Sequence, residues 1–130
     1  MQRELIETNP ILKMTFEFSL KTIEYCEKLE AEKKYIVAKQ LLRSATSIGA
    51  NSIEAQNPSS KPDFIYKIKL AAREADETQY WLLLCDYSKT YPDCKELLAK
   101  LEEIQKVLNK ILYTAKKKNP ISFLFSYFIF

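Results

Sequence analysis

Phe64, Ile68, Ala71, Ala75, Thr78, Leu82 and Cys85 recur at alternating spacings of four and three, without a break, over three heptads. That period follows one face of an α-helix; a strand, whose side chains alternate at every second residue, cannot keep it. The seam is small in its middle and large at its ends. A second row, Ile65, Ala72 and Gln79, runs beside it, and Tyr80, Trp81 and Leu84 widen the apolar surface. Such a segment must be covered on more than one side, which predicts a long helix over about 61–88 inside a helical bundle. At 1.5 Å per residue it would be about 40 Å long. The 130 residues include one glycine, which leaves little material for tight hairpins or a phosphate-cradling loop.

Three further helices follow from pattern and capping. Asn9-Pro10 suits a helix start, with Asn as cap and Pro where its missing N–H costs nothing. From there Leu12, Phe16, Ser19, Ile23 and Cys26 give a stripe that predicts a first helix over about 10–30. A second, over about 34–56, carries Val37, Ala38, Leu41, Leu42, Ala45, Ile48, Gly49 and Ile53, and its Ala45 and Gly49 would let a neighbouring helix approach closely. NPSSKP at 57–62 breaks the chain before the long helix, with Ser59 or Ser60 as cap. Asp93 and Glu96 have capping-box spacing before a last helix over about 94–118, built on Leu97, Leu101, Ile104, Leu108, Ile111 and Ala115. Short loops between four long helices predict an all-α, antiparallel up-down-up-down four-helix bundle over residues 1–120.

The second helix carries another row at the same spacing: Gln40, Ser44, Ser47, Asn51 and Glu54, polar and mostly uncharged. Such a stripe either faces water or hydrogen-bonds across a helix or subunit boundary, where it would set register. The stretch QLLRSATSIGANSIEAQ, the serine-containing break and DFIYKIKLAAREADETQYWL resemble a family of bacterial four-helix bundle proteins. Members were first noticed as open reading frames in intervening sequences of large-subunit ribosomal RNA genes, and some carry a ribosomal-protein label. The resemblance covers about residues 10–115. It implies a homopentamer, and a related group serves as accessory protein to a retroelement reverse transcriptase. Many relatives have proline where this chain has Gly49. Arg43, Asn51, Glu54, Arg73, Glu74 and Glu77 fall on the family's recurrent polar sites, for which no catalytic role is implied.

The chain has no histidine, which removes imidazole bases, triads and metal ligands. Glu74, Asp76 and Glu77 cluster in sequence, but two-metal sites in bundles normally pair glutamate with histidine. The residues therefore point to no catalytic, cofactor or metal site, to no small-molecule substrate, and to a protein that is not an enzyme. Cys26, Cys85 and Cys94 are odd in number and lack CxxC spacing, as expected of buried reduced thiols in the cytoplasm. MQRELIETNP has no apolar core, so no signal peptide is expected.

Charge is uneven. Residues 1–32 hold four basic and seven acidic side chains, whereas 95–118 hold seven lysines (Lys95, Lys100, Lys106, Lys110, Lys116, Lys117 and Lys118) against three glutamates. One reading is contact with RNA or DNA, which an oligomer would reinforce. The other is an ordinary solvated face on a protein-interaction scaffold, with Trp81, Tyr80 and Tyr87 or the tail as contacts. The tail ISFLFSYFIF at 121–130 is too short to span a bilayer as a helix and is expected to pack on its own bundle or on a neighbouring subunit.

Overall fold

The computed structural model describes residues 1–117. Among these the protein is all-α, with five helices and no strand: α1 (Gln2–Thr8), α2 (Pro10–Ala31), α3 (Tyr35–Glu54), α4 (Lys61–Tyr87) and α5 (Lys95–Lys117). The four long helices lie within a few residues of their expected bounds. Lys118 and the tail fall outside the described residues. No helix among them is long and apolar enough to cross a membrane.

Each long helix packs on the next in sequence, and α5 returns to α2. At the α3–α4 and α2–α5 boundaries the contacting residues follow opposite orders along the chain. Ser44 meets Thr78 while Glu54 meets Lys67, and Tyr25 meets Pro92 while Lys21 meets Glu96. The expected seams of α4 and α5 are buried throughout. From α3, Ala38, Leu41, Ala45 and Ile48 complete the core, joined by the hydroxyls of Ser44 and Ser52.

On α2 the buried row differs from the expected one. Ile11, Thr15, Phe18, Thr22, Tyr25 and Leu29 face inward, flanked by Leu12 and Cys26. Phe16 and Ile23 are exposed and Ser19 only half-buried. Two threonines disguise the inner row as polar. Each returns its hydroxyl proton to its own helix, Thr15 to the Ile11 carbonyl and Thr22 to that of Phe18, both at 2.8 Å. With the hydroxyl satisfied, what reaches the core is a methyl group.

The short α1 has no counterpart in the sequence reading. Seven residues are below the length at which a helix holds itself, and α1 depends on Leu5 and Ile6 packing against the core. Asn9 ends it and caps α2: its Oδ1 accepts from the Ile11 and Leu12 amides at 3.1 and 3.4 Å. Its Nδ2 donates to Gln56 at 3.1 Å, tying the start of α2 to the end of α3.

The α2–α3 turn is a Schellman closure. The Lys34 amide donates to Leu29 and that of Lys33 to Glu30, both at 2.9 Å, with Lys33 at φ 63°. Ser60 caps α4, accepting from the Asp63 amide at 3.1 Å. Before α5 the expected capping box is incomplete. Asp93 accepts from the Lys95 amide at 3.4 Å, but the Glu96 carboxylate is drawn away to Lys21 at 2.8 Å.

Candidate functional site

Two surfaces and one groove bring the sequence-nominated residues together. The first surface lies where α3 crosses α4. Inside it, the Thr78 and Ser44 hydroxyls lie 2.9 Å apart, Thr78 also within 2.7 Å of the Glu74 carbonyl and Ser44 within 3.2 Å of the Leu41 carbonyl, a short buried chain of three links that share two hydroxyl protons. Outside it, Arg43 reaches both Glu74 and Glu77, and the Trp81 indole donates to Glu77 at 3.1 Å. The Trp81 hydrogen bond and then the Arg43 guanidinium hold the Glu77 carboxyl below its usual range. Lys67 pairs with Glu54 at 3.0 Å.

The polar row of α3 is therefore divided rather than continuous. Ser44 belongs to the interior, and Ser47 and Asn51 bond back to their own helix at the Arg43 and Ser47 carbonyls. Gln40 is half-buried and Arg73 exposed on the outer side of α4. Only the Ser44–Thr78 pair is buried; Arg43 and Glu77 remain part-exposed. Glu74 and Glu77 turn toward α3, while Asp76 turns toward α5 and accepts from Gln105 at 3.2 Å. The three carboxylates thus do not converge on one point. No cluster of His, Cys, Asp or Glu among the described residues could hold a metal ion.

The second surface is α5. Its buried seam faces inward, so helical geometry sets Lys95, Lys106, Lys110 and Lys117 on the outer side. Lys95 pairs with Asp86 at 3.3 Å and Lys106 with Glu102 at 3.8 Å. Lys117 lies 4.4 Å over the Tyr113 ring and donates to its hydroxyl. Lys116 is exposed on the last turn, whereas Lys100 leans toward α2 beside Met14 and Glu17. Exposed pairs of this kind contribute about 0–1 kcal/mol and exchange readily for other anions.

The groove, of about 270 Å³, runs between α1, α2 and α3 over Gly49, with Ile6, Phe16, Ser19, Thr46 and Ile53 on its walls. Periodicity alone could not find it, because it needs the fold-back of α1. A Cβ added at Gly49 would meet Thr15 at 3.4–3.5 Å, ordinary contact. Gly49→Ala should therefore raise stability by about 0.5–1 kcal/mol through helix propensity, seen as a melting temperature higher by about 2–6 °C.

Comparison with known proteins links the chain to a family and to solved structures. A family model described as "23S rRNA-intervening sequence protein" matches residues 7–110. A crystal structure of a protein of unknown function from the S23 ribosomal protein family of Bacteroides thetaiotaomicron VPI-5482 is 36% identical, with a TM-score of 0.76. The match covers 80% of this chain and 99% of that one. No curated protein matches the chain.

Proposed function

Because the chain belongs to the 23S rRNA-intervening sequence protein family, we propose that it acts without catalysis, as a homo-oligomer of up-down-up-down four-helix bundles that docks on RNA or DNA through the basic half of α5. The observation that carries the nucleic-acid reading is the charge of that half. Beyond Glu103 the sequence has no acidic residue, while Lys106, Lys110, Lys116 and Lys117 are all exposed. A row of ammonium groups held on a rigid helix neutralises phosphates with little ordering cost, and an oligomer repeats the row. The family's name connects its members' genes with ribosomal RNA.

The oligomer reading rests on unpartnered apolar side chains and on the resemblance to pentameric relatives. A ring relates its subunits by rotation and so needs two different complementary faces. Phe16, Leu20 and Ile23 form an exposed row on α2, and Ile36 and Leu84 are exposed at the far end of the α3–α4 boundary. Three buried, unpaired cysteines suit a reducing compartment, and we place the protein in the cytoplasm.

Light scattering with and without a mixed RNA pool tests both parts. We expect a mass of five chains, and RNA binding that weakens as salt rises. Replacing Lys106, Lys110, Lys116 and Lys117 by glutamine should weaken binding at least about tenfold and flatten its salt dependence by up to about three to four units of log–log slope. A monomer would overturn the oligomer reading. Silence toward RNA and DNA at low salt would leave a protein-interaction scaffold.

A further inference from the structure

Tyr66, Arg73, Tyr80 and Tyr87 recur every seven residues along α4, on the side opposite its buried seam. The three tyrosines are 57%, 58% and 83% exposed, and helical rise spreads the row over about 32 Å. Scattered surface tyrosines need no explanation, but a register of rings interleaved with a guanidinium is not scatter.

The neighbouring helix continues the pattern. Gln105 donates to Asp76 and Gln79, and Lys95 donates to Asp86, so α5 runs antiparallel beside this row. That register sets Tyr113 and Lys117 across from the Tyr66–Lys69 turn, with Lys106 nearer Arg73. Nearby acids are already engaged: Asp76 by Gln105, Asp86 by Lys95, Glu102 by Lys106, and Asp63 by the Ser59 amide.

We infer that the joined outer faces of α4 and α5 bind single-stranded nucleic acid, the α4 tyrosines stacking on bases while Arg73 and the α5 lysines hold phosphates. This rests on the nucleic-acid reading above and adds the strand state and a second helix. A duplex buries its base faces and offers such a row only phosphate. A single strand exposes every base, and ring-on-base stacking is tolerant of sequence.

The test is fluorescence anisotropy of the full chain with labelled oligo(dT) or oligo(U) of about twelve nucleotides, against a duplex of equal length, at low salt. Trp81, the chain's one tryptophan, lies edge-on to Tyr80 at 5.5 Å, so its quenching reports stacking at that ring. Single strands should bind at least about tenfold more tightly than duplex and quench Trp81. Replacing Tyr66, Tyr80 and Tyr87 by alanine should remove that preference at unchanged helicity, and phenylalanine at the same positions should restore it. Equal or tighter duplex binding, or single-strand affinity indifferent to the alanines, overturns the inference while leaving α5 as a phosphate-binding surface. A changed oligomeric mass in the alanine variant reassigns the row to a contact between copies, which overturns it too. Binding of neither probe overturns the proposed function itself.

Discussion

Between pH 9 and 11 the protein should lose its helical signal in one cooperative transition, because its folded state holds protons that the unfolded chain releases. Cys26, Cys85 and Cys94 are all buried and unpaired. Burial pushes the Cys26 thiol up to about 12 and that of Cys94 to about 11. It also raises Cys85, opposed there in part by the neighbouring Tyr25 hydroxyl. Tyr25, whose hydroxyl donates to the Pro92 carbonyl at 2.7 Å, is held protonated well above its normal range, again chiefly by burial.

The direction follows from linkage. These groups are neutral when protonated, so a raised folded value means the native state binds more protons than the unfolded one above pH 9. Their contribution is complete below the unfolded thiol value of about 9 and is lost as pH climbs through the folded values. Each thiol in that window removes about 1.4 kcal/mol per pH unit. Cys26 and Cys94 together remove roughly 3 kcal/mol per unit, with Cys85 acting in the same direction, against about 5–15 kcal/mol for a typical domain. Circular dichroism against pH, under reducing conditions, is the measurement. Lys21, Lys67 and Lys95, raised by their carboxylate partners, pull in the same direction but are exposed, and high salt removes their share. A variant with alanine at all three cysteines should show a distinctly shallower slope, whatever its stability at neutral pH. Equal stability at pH 8 and pH 10.5 in the native chain would sink the idea.

Legibility in the sequence tracked how strongly residue type and environment agree. On α4 and α5 every seam position is apolar or small, so periodicity and burial coincide. Asn9-Pro10 was legible because a cap acts over three residues and needs no partner from elsewhere. The Asp93–Glu96 box was not, since a lysine seventy-five residues away competes for the same carboxylate. The polar residues of the α3 row shared one spacing but met different fates: interior for Ser44, back-bonding for Ser47 and Asn51, and a surface ion pair for Glu54. Helical period places a residue on a face, and the neighbouring helix decides what that face becomes. The lysines of α5 were legible as charge; their place beside the α4 tyrosines needed the antiparallel register.

Phe18→Ala should cost about 3–5 kcal/mol, whereas Phe16→Ala should cost the isolated subunit less than about 1 kcal/mol. The two phenylalanines sit two residues apart on α2, and simple apolar periodicity selects Phe16 for the core. The structure selects Phe18, which is 1% exposed against 45% for Phe16. Phe18 shares the inner row with Thr15 and Thr22 and is among the largest fully buried side chains, so its removal leaves a cavity that close-packed neighbours refill only in part. Phe16 lines the wall of the α1–α2–α3 groove and loses little by truncation. Urea titrations read the difference as a shifted midpoint at constant slope. If Phe18→Ala is too unstable to purify, Phe18→Leu provides the graded version, at about 1–2 kcal/mol. Equal costs at the two positions, or a larger one at Phe16, would mean that α2 is rotated by about half a turn from the orientation described. A small cost at Phe16 together with a lower oligomeric mass is the outcome that would separate folding from assembly on a single helix, with Phe18 serving the bundle and Phe16 the proposed contact between copies.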